Sequence, residues 1–90
     1  MARNFEVLIP GMSFDQKDIT ISVGDTVTWI NDDGTSTHTV TTDTGSPLSI
    51  TEILIPGSTY SPRQPFSTAG VLKYHCRFHP TMMKGSVTVT

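Results

Sequence analysis

Asp18-Ile-Thr-Ile-Ser-Val-Gly-Asp-Thr-Val-Thr-Trp-Ile-Asn31 alternates apolar and polar residues almost throughout, on both sides of a single Gly-Asp pair. A period of two is the signature of a strand with one buried face. It predicts Ile19, Ile21 and Val23 inward on one strand and Val27 and Trp29 inward on the next. A two-residue Gly24-Asp25 turn between them predicts a β-hairpin.

The same period recurs outward from this stretch. Phe5, Val7 and Ile9 share one face of a first or edge strand that Pro10-Gly11 closes, and Phe14 is the apolar anchor of the loop that follows. Residues 31–37 are polar and turn-rich, 37–42 resume strand chemistry with His38 and Val40 on one face, and 43–47 turn again. Residues 48–54 carry scattered apolar side chains without a readable period. Residues 58–66 read as a strand interrupted by Pro62 and Pro65, hence an edge. Residues 71–76 and 86–90 are the last two strands, with Leu72, Tyr74, Cys76, Val87 and Val89 inward. About eight short strands at intervals of roughly ten residues, without helical periodicity, predict an all-β sandwich.

Composition narrows the function. Ninety residues allow one domain over 1–90 with a thin core. A net charge of −2 supplies no basic field for nucleic acid, and no apolar run reaches the length of a membrane span. A single cysteine excludes an internal disulfide. No general acid–base pair or phosphate loop is evident. The N-terminus runs straight into strand pattern without a signal-peptide apolar region, as expected of a cytoplasmic protein or of a mature domain behind a start methionine.

The chemistry concentrates in Tyr74-His-Cys-Arg-Phe-His-Pro-Thr-Met-Met-Lys-Gly85. Cys76, His79, Met82 and Met83 place a thiolate, an imidazole and thioethers on one short loop, a donor set suited to a soft, redox-active metal. Closed zinc sites prefer Cys, His or carboxylate, whereas a weak axial Met points to copper. A trigonal His₂Cys plane needs a second imidazole, and inward-facing His38 is available. His75 alternates to the opposite face from Cys76 and reads as a surface residue. Taken singly, a buried Cys is usually a small hydrophobe and a core His usually a satisfied one; their conjunction at strand ends carries the inference.

Val23-Gly-Asp-Thr-Val-Thr-Trp-Ile-Asn31, His38-Thr-Val40 and the run Tyr74 to Val89 resemble the cupredoxins, the small blue-copper family of plastocyanin, amicyanin, azurin and pseudoazurin. The resemblance covers nearly the whole chain. It implies an eight-stranded Greek-key β-sandwich with one type 1 copper at one end, and one-electron transport by Cu(I)/Cu(II) cycling rather than enzymatic turnover. It places His38, Cys76 and His79 on the equatorial ligands. Met83 is the expected axial ligand, because the register of the final strand is fixed by burial; His-x-x-Met spacing makes Met82 the alternative. The residues flanking the first histidine, commonly Pro and Asn in the family, are here Thr37 and Thr39, so a hydroxyl stands where an amide usually ties the ligand loops together. The resemblance also implies transient redox partners docking around His79 on Phe78, Pro80, Thr81 and Met82, an extracytoplasmic setting and a monomer. A copper carrier that passes the metal on without redox cycling is the alternative, favoured by the extra methionine. A cysteine enzyme with Cys76 activated by His79 lacks an orienting Asn or Asp, and a purely structural module would be indifferent to metal.

Overall fold

β1 (Asn4–Ile9), β2 (Asp18–Ile21), β3 (Thr26–Asn31), β4 (His38–Thr42), β5 (Thr51–Leu54), β6 (Thr59–Tyr60), β7 (Gly70–His75) and β8 (Lys84–Val89) make up the regular structure among the described residues. The computed structural model describes every residue except Met1, Pro47 and Gln64. Pro47 of the expected 43–47 turn and Gln64 of the expected 58–66 strand therefore lie outside the described residues. The strands form two sheets, ordered β1-β3-β6 and β2-β8-β7-β4-β5. This is an eight-stranded Greek-key sandwich, as expected. No helix among the described residues is long and apolar enough to cross a membrane.

The core is what the alternation calls for. Val7, Ile9, Ile21, Val27, Trp29, Val40, Leu72, Tyr74, Cys76, Val87 and Val89 are buried, and Phe14 closes the core from its loop. Tyr74 sits at the centre, its ring edge-to-face with Phe14 at 4.8 Å and with Trp29 at 5.3 Å between centroids. Such pairs add about 0.5–1.5 kcal/mol each beyond the area they bury. Burial pushes the Tyr74 phenol up to about 12.

The predicted 18–31 hairpin does not form. β2 pairs in parallel with β8, and β3 pairs in parallel with β1 in the other sheet. The reason is the turn. Asp25 N–H donates to Ser22 C=O at 3.0 Å, so Val23 and Gly24 are its central residues, and positive φ (98°) occurs only at Gly24, the second of them. That is the pattern of a type II turn, whose twist splays its flanking strands; two-residue hairpins need positive φ at the first central position. The corner is then locked. The Asp25 carboxylate accepts from Ser22 N–H and Arg3 N–H, both at 2.9 Å, and Gly24 and Asp25 exchange backbone bonds with Phe66. Because β2 ends at Ile21, Val23 is half-exposed rather than inward.

Two smaller expectations also shift. The 58–66 strand contracts to Thr59–Tyr60, an edge strand as its prolines require. The unassigned 48–54 stretch supplies β5, an edge strand antiparallel to β4. Its period was unreadable because Thr51, Glu52 and Ile53 are all exposed and only Leu54 is buried.

Candidate metal centre

Three strand ends meet at one end of the sandwich. β4 begins at His38, β7 ends at His75 so that Cys76 is the next residue, and β8 begins at Lys84 directly after Met83. The antiparallel β4–β7 pairing, with Thr41 opposite His75, brings His38 and Cys76 together although 38 positions separate them in the chain. Both are fully buried, and His38 Nδ1 lies 3.9 Å from Cys76 Sγ. Two ligands of one ion, bonded at about 2.3 Å through sulfur and about 2.0 Å through nitrogen as zinc bonds them, stand roughly 3.5–3.9 Å apart.

The orientation of His38 has a cause that the sequence reading missed. Asp33 Oδ2 lies 2.9 Å from His38 Nε2. This hydrogen bond to His38, and then the backbone N–H of Thr35, hold the Asp33 carboxyl down at about 2. An ionised carboxylate only accepts, so Nε2–H donates to it and Nδ1 is the ring nitrogen that faces the thiol. Asp33 is placed in turn by Asn31, whose Oδ1 accepts Asp33 N–H at 2.9 Å while its Nδ2 donates to Leu54 C=O and Ser36 C=O. The available signal was a carboxylate five residues ahead of a candidate ligand histidine.

Cys76 Sγ accepts the backbone N–H of Thr39 at 3.4 Å, and Thr39 Oγ1 accepts the backbone N–H of Arg77 at 2.7 Å. The two segments flanking the thiol are thus tied together through the Thr39 hydroxyl. The 76–83 turn closes on itself: His79 N–H donates to Cys76 C=O, Met83 N–H to His79 C=O, and Cys76 N–H back to Met83 C=O, at 2.9–3.1 Å. This turn separates the methionines sharply, Met83 being fully buried and Met82 65% exposed.

His79 is half-buried on the turn, its ring centroid 5.9 Å from that of His38. Among the described residues no three His, Cys, Asp or Glu side chains form a cluster of metal-binding dimensions; Cys76 and His38 stand at ligand-pair distance, with His79 farther out. Around His79 the side chains of Phe78, Pro80, Thr81 and Met82 are exposed. His75 faces away from the site, as expected, with Nδ1 2.6 Å from Asp43 Oδ1.

The donor set fits copper better than a closed zinc cage: a buried thiol held by one N–H donor, an imidazole nitrogen 3.9 Å from that sulfur, and a buried thioether on the same turn. Comparison with known proteins points the same way. The model of the copper-binding proteins of the plastocyanin/azurin family matches residues 3–90. A plastocyanin from Scenedesmus fuscus is 36% identical over 85 residues, covering 84% of this chain and 85% of its own. Among solved structures, a reduced amicyanin variant superposes with a TM-score of 0.82 at 34% identity, covering 96% of this chain and 81% of that one. Another amicyanin variant, in its reduced Cu(I) form at pH 4, gives a TM-score of 0.79 at 32% identity over the same shares.

Proposed function

Because this chain belongs to the plastocyanin/azurin family of copper-binding proteins, the cupredoxins, we propose that it is a blue-copper carrier of single electrons and not an enzyme. In this reading His38 Nδ1, Cys76 Sγ, His79 and Met83 would hold one copper. The observation that carries it is the 3.9 Å approach of His38 Nδ1 to the buried Cys76 sulfur, with Nε2 engaged by Asp33. Closing the set would bring the half-buried His79 ring closer to that pair.

Bound copper would take up and release one electron at a time, as Cu(II) and Cu(I). The chain's contribution is to keep the donors nearly fixed in both states, so that little rearranges on transfer. The Asp33–His38 bond sets one imidazole, the Thr39 N–H stabilises negative charge on sulfur, and the Arg77–Thr39 bond ties the ligand turn to β4. Burial of Cys76 and Met83 excludes water from the soft donors. The exposed edge of His79 and the rim of Phe78, Pro80, Thr81 and Met82 form the exit for the electron, where a partner docks briefly over a small area. The protein would act as a monomeric single domain outside the cytoplasm.

Exposed Met82 also favours a second reading, a carrier that hands Cu(I) on without cycling. Cyclic voltammetry of Met82→Ala and Met83→Ala tests both. The carrier of electrons predicts a reversible couple whose potential moves with Met83→Ala and stays within experimental error with Met82→Ala. A shift caused by Met82 alone would make Met82 axial, and rapid copper exchange with no reversible couple would refute electron carriage.

A further inference from the structure

The outer face of the five-stranded sheet, behind the site, carries charge that the metal does not use. Alternation along β7 turns Lys73 and His75 outward, and the β7–β8 register sets Lys84 directly opposite His75 and diagonal to Lys73. Directly opposed side chains start about 4.5–5.5 Å apart and diagonal ones about 7–8 Å apart. Arg77 follows two residues past His75, anchored by its backbone N–H to Thr39. Lys73, Arg77 and Lys84 are all exposed, and none makes an ion pair among the described residues. They are half of the chain's six Lys and Arg residues, on a molecule of net charge −2. Two carboxylates border the face, and both are engaged: Asp43 by His75 at 2.6 Å and Asp18 by Lys17 at 2.6 Å. Exposed cations without a carboxylate partner among the described residues thus stand beside the turn that carries Cys76 and His79. Exposed Ile53, across from Thr39 on β5, and Met82 add apolar surface at its margin.

We propose that Lys73, Arg77 and Lys84 form the docking face for the acidic surface of a partner protein, which they steer onto the adjoining Phe78–Met82 rim. That the partner is a redox protein rests on the electron-carrier reading; the acidic character rests on the charge alone. Lys73 and Lys84, diagonal neighbours about 7–8 Å apart and so within about one Debye length at physiological ionic strength, act as a single field, which raises the encounter rate and is lost in salt.

The test is titration of the ¹⁵N-labelled protein, with and without copper, with polyglutamate at ionic strength of about 0.01 M and about 0.15 M. The proposal predicts amide shifts centred on 73–77 and 84, severalfold weaker binding at the higher salt, and loss of the shifts in Lys73→Glu/Lys84→Glu. Oxidation of the Cu(I) protein by hexacyanoferrate(III), which takes one electron and becomes hexacyanoferrate(II), should slow severalfold in the same variant. Shifts centred on Arg3, Lys17 or Arg63, or unchanged by the charge reversal, would overturn the proposal. So would equal perturbation of these amides by phosphatidylserine vesicles without any by polyglutamate, which would assign the face to lipid. Polyglutamate binding at this face by a chain that shows no blue copper band would uphold the face and refute electron carriage, so the two failures are distinguishable.

Discussion

Gly85→Ala isolates one contact on which both core and site depend. Gly85 stands opposite Tyr74 in the β7–β8 register, two residues after Met83. A methyl group there would lie 2.5 Å from Tyr74 Cζ, from its hydroxyl oxygen and from Lys17 C=O. Restoring ordinary contact requires a displacement of roughly 1 Å. Tyr74 has little freedom to give it, being 1% exposed and held edge-to-face by Phe14 and Trp29. Lys17 C=O is equally engaged, accepting Ser86 N–H at 2.7 Å. Overpacking of this kind costs about 1–3 kcal/mol, and weakening the Ser86–Lys17 bond adds about 0.5–1.5 kcal/mol. The expected loss is about 2–4 kcal/mol, or roughly 8–32 °C in Tm for a domain of this size. Urea unfolding of the metal-free protein, followed by fluorescence of Trp29, measures it. Tyr74→Leu removes both clashing ring atoms, so the double variant should cost clearly less than the sum of the single ones. A loss below about 0.5 kcal/mol for Gly85→Ala, or strict additivity in the double variant, would refute the packing argument.

Asp33→Ala leaves His38 Nε2 without a partner in a buried position, and should weaken copper binding by about 10–100-fold in competition with a chelator; Asp33→Asn, which keeps an acceptor, should fall between. The Asp25 carboxyl is held below its ordinary value of 3.8 by the backbone N–H groups of Ser22 and then Arg3. A depressed carboxyl adds stability above its unfolded value and loses it as pH falls through the folded one. The stability gap between the wild type and Asp25→Asn, read by denaturation from pH 7 downward, should therefore be constant at first and close below about pH 4.

Much of this architecture was legible in the sequence because burial enforces it. Alternation placed Trp29, Val40, Leu72, Tyr74, Cys76 and Val87 inside, and the same rule turned His75 away from Cys76. Where the reading failed, a different term decided. Asp18–Asn31 carries the period of two strands but nothing in that period says that they pair. Positive φ at Gly24 alone and the grip of Asp25 on Arg3 and Ser22 send them to separate sheets. Asp33 escaped notice because a carboxylate in a polar loop has no pattern of its own, and its role appears only when the loop folds back over His38. Thr39 was readable as a departure from the family, but its effect was not: the hydroxyl reaches Arg77 N–H while its own N–H reaches sulfur. The methionines, adjacent and alike in sequence, are separated by burial.

The central claim is that Cys76 and His38 bind one redox-active copper. Titration of the metal-free protein with Cu(II), monitored in the visible, tests it directly. A Cys76–His38 copper site predicts an intense thiolate-to-copper band that saturates at one copper per chain and is absent in Cys76→Ser. No band, with the thiol still freely titratable after copper is added, would contradict it.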